Sequence, residues 1–134
     1  MEPYKKIANL LWETSSSNHA STAKLDIMPK NVNKLLVANR GEIALRVVRT
    51  AREMGIPTVA VYAEQDRHAQ YVQMADDAYL LSGDTYKDTY LNEDLLIDIL
   101  HKTGANAVHP GYGFLSEVPS FAQKVEDAGA IWVG

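Results

Sequence analysis

From Asn33 onward the chain repeats one alternation, a short apolar run followed by a segment of helical periodicity. The run Lys34-Leu35-Leu36-Val37-Ala38-Asn39 has the length and unbroken apolar character of a strand buried on both faces. In Glu42 to Met54, Ile43, Val47, Ala51 and Met54 recur at helical spacing and predict one face of a helix. Gly55 stands where such a helix stops, with Pro57 just beyond. Thr58-Val59-Ala60-Val61-Tyr62 predicts a second strand from its β-branched content. The alternation continues with a short helix over Gln65 to Ala75, a strand over Ala78-Tyr79-Leu80-Leu81, and a helix capped by Asn92. Leu95, Leu96, Ile99 and Leu100 form the inner face of that helix, and Ala105 to Val108 predicts a fourth strand. A last helix, capped by Ser116, carries Phe121, Val125 and Ala128 on one side, and Ile131-Trp132-Val133 opens a fifth strand. Strands alternating with helices through short loops predict an α/β fold, a three-layer sandwich around a parallel sheet of about five strands.

That fold class constrains where function can lie. In open parallel sheets, ligands sit beyond the C-terminal ends of the strands. Two chemically distinctive segments follow strands and fall on that edge: Asn39-Arg40-Gly41-Glu42, and His109-Pro110-Gly111-Tyr112-Gly113-Phe114-Leu115-Ser116-Glu117. The second predicts a small-ligand loop. Its glycines allow close backbone approach, and Tyr112 offers a ring and a hydroxyl beside a flat ligand or, equally, a packing surface. His109 reads as a hydrogen-bonded structural residue rather than a base, because no Ser or Cys nearby forms a nucleophile pair with it. Glu117, taken at the start of the last helix, satisfies a helix dipole as readily as a ligand.

The first turn has one glycine where a dinucleotide fingerprint needs three, although Glu64 follows at roughly the distance of a ribose-binding acid. Both a simple tight turn and a nucleotide cradle stay open. Arg46, Arg49 and Arg52 line one side of the first helix, with Glu53 four residues beyond Arg49. Such a stripe is either a solvated face or a contact surface for a second subunit.

Composition removes several classes. Thirteen Lys and Arg against seventeen Asp and Glu give a net charge of −4, which disfavours a nucleic-acid partner. There is no cysteine, so disulfides, thiolate zinc and thiol catalysis are excluded, and a reducing cytoplasm is the expected compartment. The four histidines, His19, His68, His101 and His109, are dispersed and predict no metal site. Asp76-Asp77 reads as the start of a strand rather than a catalytic pair. No apolar run is long enough to cross a bilayer, so no membrane partner is expected.

Residues 1–32 differ from the rest and are expected to form a flexible N-terminal extension, leaving residues 33–134 as one domain. The polar stretch Thr14 to Thr22 lacks periodicity, and Ile7 to Trp12 offers at most a helical turn or two. With no Arg and with Glu2, Glu13 and Asp26, the segment does not read as a targeting peptide.

The run Lys34 to Arg46 and the run His109 to Glu117, in this order and at this separation, resemble the N-terminal domain of biotin carboxylase. The resemblance extends from about Asn33 to Gly134, with Asp66-Arg67 and Tyr90-Leu91-Asn92 as further matches. It implies the Rossmann-like domain that precedes an ATP-grasp domain in acetyl-CoA, propionyl-CoA and related acyl-CoA carboxylases and in pyruvate carboxylase. The implied parent activity is an ATP-dependent ligase in which bicarbonate is activated as carboxyphosphate and carboxylates biotin on a carrier protein. Biotin, ATP and Mg are the cofactors so implied, and a biotin carboxyl carrier domain or protein is the partner. Tyr112 and Gly113 would then lie beside the biotin ring, supported by His109, Gly111, Phe114 and Glu117. Arg46, Arg49 and Glu53 match positions at the dimer interface of bacterial members, which implies a homodimeric parent.

Val118 and Pro119 depart from the family's Asn-Ala, which implies a different local helix start. The family's ATP, Mg and bicarbonate ligands and its catalytic base fall in parts this chain does not contain. The expectation is therefore a truncated product or an excised domain, with no catalytic residue, no stably bound cofactor and no carboxylase activity alone. A non-catalytic Rossmann-like dimerisation or nucleotide-binding module is the competing reading. The acyl-CoA or keto acid of the parent is not legible.

Overall fold

The computed structural model describes residues 31–134. The tail segments discussed above, Ile7 to Trp12 and Thr14 to Thr22 among them, lie outside the described residues. Asn31 and Val32, on the tail side of the expected boundary, are packed on the domain. Val32 is buried, and the Asn31 carbonyl accepts a 2.7 Å hydrogen bond from Asn106 Nδ2.

Five strands are hydrogen-bonded in parallel: β1 (Leu35–Val37), β2 (Thr58–Tyr62), β3 (Asp77–Leu80), β4 (Ala107–His109) and β5 (Ile131–Trp132). Their spatial order is β3-β2-β1-β4-β5. The chain thus runs outward from β1 on one side and resumes on the other, and the topological switch falls between β1 and β4. The expected α/β class and five-strand parallel sheet are observed.

Period-two alternation divides the core into two layers. Leu35, Val37, Ala60 and Ala107 face one way and pack with Ala44, Leu45, Val47, Val48 and Ala51 of α1 (Gly41–Glu53) and Tyr71 of α2 (Gln70–Met74). Leu36, Val59, Val61 and Val108 face the other way, against Leu96, Ile99 and Leu100 of α3 (Glu93–Thr103) and Phe121 and Val125 of α4 (Pro119–Asp127). Burying each Val, Leu, Ile or Phe side chain stabilises the fold by about 1.5–3 kcal/mol, and covering both faces of the sheet is favoured over covering one. The buried stripe of α1 is centred on Ala44, Val47, Val48 and Ala51; Met54, expected on it, is exposed past the helix end.

Helix ends follow local rules. α1 closes with Gly55 N–H donating to Arg52 O at 3.0 Å and Ile56 N–H to Ala51 O at 2.9 Å. This paired arrangement needs a left-handed residue, and Gly55 supplies it at φ 76°. Asn92 caps α3 as expected, its Oδ1 accepting from Leu95 N–H at 3.2 Å.

Three expectations about elements are corrected. The helix foreseen over Gln65 to Ala75 is split into a 3₁₀ turn at Glu64–Asp66 and the short α2, because Ala69 between them is extended, at φ −63° and ψ 149°. The third strand begins and ends one residue earlier than expected, at Asp77–Leu80. Ser116 does not cap α4. Val118 is the cap position and Pro119 the first helical residue, since proline has its φ preset for a helix start and forces an extended residue before it.

Candidate functional site

β1 and β4 are neighbours in register, Val37 opposite His109, so the turns that leave them emerge side by side at the sheet's C-terminal edge. Asn39 joins the two. Its Nδ2 donates to Pro110 O and to Tyr112 O, each at 2.7 Å, while its Oδ1 accepts from Arg40 N–H at 2.8 Å. The side chain is buried, and every polar atom of its amide is engaged. A leucine here would leave two carbonyls of the glycine loop without their donor, at about 1–3 kcal/mol each.

Gly111 makes this contact possible. A Cβ at that position would lie 2.7 Å from Asn39 Nδ2 and 2.7 Å from Ile43 Cγ2, and the backbone is left-handed at φ 67°. Gly111 N–H in turn donates to His109 Nδ1 at 3.0 Å. His109 is fully buried, and its Nδ1 is an acceptor. Tyr112 points outward, 39% exposed, and Gly113 has open space where a Cβ would stand.

The neighbouring residue, Phe114, is left-handed at φ 45°, the one non-glycine residue so placed among those described. An L-residue there costs roughly 1–2 kcal/mol. Two ring contacts offset it: Tyr86 at 5.3 Å between centroids and Tyr90 at 5.4 Å. Each aromatic pair contributes about 0.5–1.5 kcal/mol beyond its buried area, enough to hold the conformation.

Arg40, in the exit turn after β1, reaches across to the turn that follows β2. Its Nε donates to Asp66 Oδ2 at 2.6 Å and its Nη2 to Asp66 Oδ1 at 2.7 Å, a bidentate pair. Tyr90 Oη also donates to Asp66 Oδ2, at 2.6 Å, and accepts from Ala63 N–H at 2.8 Å. Tyr71 Oη lies 3.1 Å from Tyr90 Oη and donates to Val61 O at 2.9 Å. The Arg40 guanidinium holds the Asp66 carboxyl below its usual range, and the carboxylate raises Arg40 in return. Burial, followed by the bond to Asp66, pushes the Tyr90 phenol up to about 12. Burial likewise raises Tyr71.

The structure therefore brings Asn39, Arg40, His109, Gly111, Tyr112, Gly113 and Phe114 together and leaves Glu42, Glu117 and the interface candidates Arg46, Arg49 and Glu53 elsewhere. Glu42 is on the outer face of α1, where it accepts from Arg46 Nε at 3.2 Å and shares a shallow concavity of about 400 Å³ with Arg46, Arg49 and Thr50. Arg49 and Glu53 are exposed on the same helix. Glu117 is not in the first turn of a helix; it stands in the turn before α4, exposed, beside Ser116, Val118 and Trp132.

Asp66 and Tyr90 enter the sequence reading only as family matches, and Tyr86 and Tyr71 not at all. The available signal was position: Asp66 follows β2 and so belongs to the same sheet edge. Asp76, by contrast, accepts from Thr58 N–H at 2.8 Å and secures the start of β2. Glu64, the acid compatible with a ribose, is bound bidentately by Arg67 at 2.8 and 2.7 Å. Among the described residues, no group of three or more acids and histidines could hold a metal ion, and no helix is long and apolar enough to cross a membrane.

A parallel five-strand sheet whose glycine loop is pinned to the first strand-exit turn at the topological switch point defines a Rossmann-like α/β domain. Residues 31–134 match the model of the biotin carboxylase N-terminal domain, and the chain belongs to that family. It is 55% identical over 103 residues to the alpha3 subunit of a biotin-dependent acyl-coenzyme A carboxylase of Mycobacterium leprae, covering 77% of this chain and 17% of that protein. It superposes with a TM-score of 0.74 on the biotin carboxylase subunit of pyruvate carboxylase, at 51% identity over 77% of this chain and 23% of that one. The biotin carboxylase domain dimer of Hydrogenobacter thermophilus 2-oxoglutarate carboxylase, in complex with MgADP, ADP and bicarbonate, gives 0.75 at 47% identity over 79% and 23%. The chain thus spans less than a quarter of the length of these relatives.

Proposed function

We propose that this chain supplies the biotin-side wall of a biotin carboxylase active site, with Tyr112 and Gly113 as its ligand-facing residues. Asn39, Gly111, His109 and Phe114 are its support. One observation carries the reading: Asn39 hydrogen-bonds the carbonyls on either side of Gly111, fixing the loop at the switch point with Tyr112 turned outward. Biotin's ureido ring is flat and polar at its edge, which suits an aromatic ring beside open backbone. The remaining walls, and the groups that hold ATP, Mg and bicarbonate, come from polypeptide outside the described residues.

In this reading the exposed arginines of α1 meet a second copy across a two-fold axis, where Arg46 and Arg49 face Glu42 and Glu53. A biotin carboxyl carrier domain delivers the substrate. The cysteine-free composition fits a reducing cytoplasm.

The test exchanges residues 31–134 for the matching domain of the biotin carboxylase subunit of pyruvate carboxylase. The chimera is expected to carboxylate free biotin with ATP and bicarbonate, and Tyr112→Ala is expected to raise its biotin KM about tenfold. A folded chimera that hydrolyses ATP with no dependence on biotin rejects the reading.

A further inference from the structure

The glycine loop is held at two points, the first by a side-chain amide and the second by aromatic rings. Asn39 pins the loop at the carbonyl of Tyr112. Gly113 follows at φ 66° and Phe114 at φ 45°, so two successive residues are left-handed and the second bears a Cβ. Within the loop, Ser116 N–H donates to Gly113 O and closes a turn around Phe114, and from outside two rings seat the side chain. Tyr86 meets the Phe114 ring edge-on at 73° and Tyr90 meets it at 48°.

Neither tyrosine is free to drift. Tyr90 is buried, with its hydroxyl held between Asp66 and Ala63 N–H, and its ring meets Tyr86 at 5.8 Å. Tyr86, 43% exposed, has the Arg40 guanidinium 6.0 Å from its ring centroid. Arg40 in turn is bound to Asp66. The rings that grip Phe114 are therefore keyed through one carboxylate to the same exit turn that carries Asn39.

We propose that Tyr86 and Tyr90 clamp Phe114, and that Phe114 is thereby a positioning residue for the wall made by Tyr112 and Gly113. The inference rests on the biotin reading only for the ligand's identity. Mechanically, Gly113 is suspended between two fixed neighbours, Tyr112 through Asn39 and Phe114 through the tyrosines. Its open face is presented in one geometry before any ligand arrives, so binding does not have to order the loop.

Amide hydrogen exchange on the full 134-residue chain reads the clamp directly. The reporter is Ser116 N–H, which donates to Gly113 O at 2.9 Å across the loop. Phe114→Leu is expected to speed its exchange at least about tenfold, Phe114→Tyr to leave it unchanged, and the β1 and β2 amides to stay protected in both. Should Phe114→Leu fail to fold, Tyr86→Leu, at an exposed ring, carries the same expectation. Wild-type exchange at Ser116 in the leucine variant overturns the clamp, whatever the loop binds.

In the chimera, Phe114→Leu is expected to raise the biotin KM about tenfold with the ATP KM unchanged, and Phe114→Tyr to restore it. If Tyr112→Ala raises the biotin KM and Phe114→Leu does not, the positioning role is overturned. If exchange quickens while neither variant moves the biotin KM, the biotin reading falls and the clamp stands.

Discussion

Asn39 shows how one side chain can tie together parts of the chain that are far apart in sequence. Its amide spans separations of 71 and 73 residues to reach the carbonyls of Pro110 and Tyr112. Both carbonyls sit where water is excluded or restricted, so removal of their donor is costly. Asn39→Ala is expected to lower the unfolding free energy by about 2–3 kcal/mol, measured by urea denaturation, with wild-type m-value. The residue was visible in the sequence as a turn member, and its type suits a turn. Its partners were not visible, because nothing local records which distant carbonyl an amide will face. Glu42 shows the converse: adjacency in sequence suggested a place in the turn, and one step of helix rotation carried it to the outer face of α1.

At the level of elements, helix ends were legible wherever the capping chemistry is local. Asn92 needs only Leu95 three residues on, and Gly55 needs only Arg52 and Ala51 behind it. Ser116 had equally good credentials as a cap, and Pro119 overrode it by fixing where helical φ begins. The two positions should therefore respond differently. Asn92→Ala is expected to cost about 1 kcal/mol, Ser116→Ala less than about 0.5 kcal/mol, both read from thermal or urea unfolding. Comparable losses at the two sites would show that Ser116 does cap α4. The break between the 3₁₀ turn and α2 was not legible, since Gln65 to Ala75 contains no proline or glycine to announce it. Asp66 closes that turn with its carboxylate committed to Arg40.

For the molecule as a whole, the Arg40–Asp66–Tyr90 network links pH to stability from both sides. The Asp66 carboxyl is lowered in the fold, so its contribution is fully present above its unfolded value of about 4 and is lost as pH falls through the folded value. The difference in unfolding free energy between wild type and Asp66→Asn, about 2 kcal/mol at neutral pH, should shrink below pH ~4. Tyr90 acts in the opposite sense. Its phenol is raised to about 12, so its contribution is present below the unfolded value of about 10 and fades as pH rises through the folded one. Wild type should lose stability across that interval, and Tyr90→Phe should lose less. Assembly is a separate whole-molecule question. Light scattering is expected to give a dimer for wild type and a monomer for Arg46→Glu; a monomer in both rejects α1 as an interface for this chain.

The sequence by itself determined the layers. Alternation of buried runs and amphipathic helices permits little besides a parallel sheet covered on both faces, because each element must hide its own apolar surface. It also determined that both distinctive loops leave the same edge of that sheet, since each follows a strand and all the strands run one way. Only the tertiary structure decided which loops touch. Strand order places β4 beside β1 rather than beyond β3, and that adjacency is what sets Asn39 against the glycine loop. Asp66, Tyr86 and Tyr90 became part of the site for the same reason. Their contacts depend on distances across the sheet edge, which periodicity along the chain does not encode.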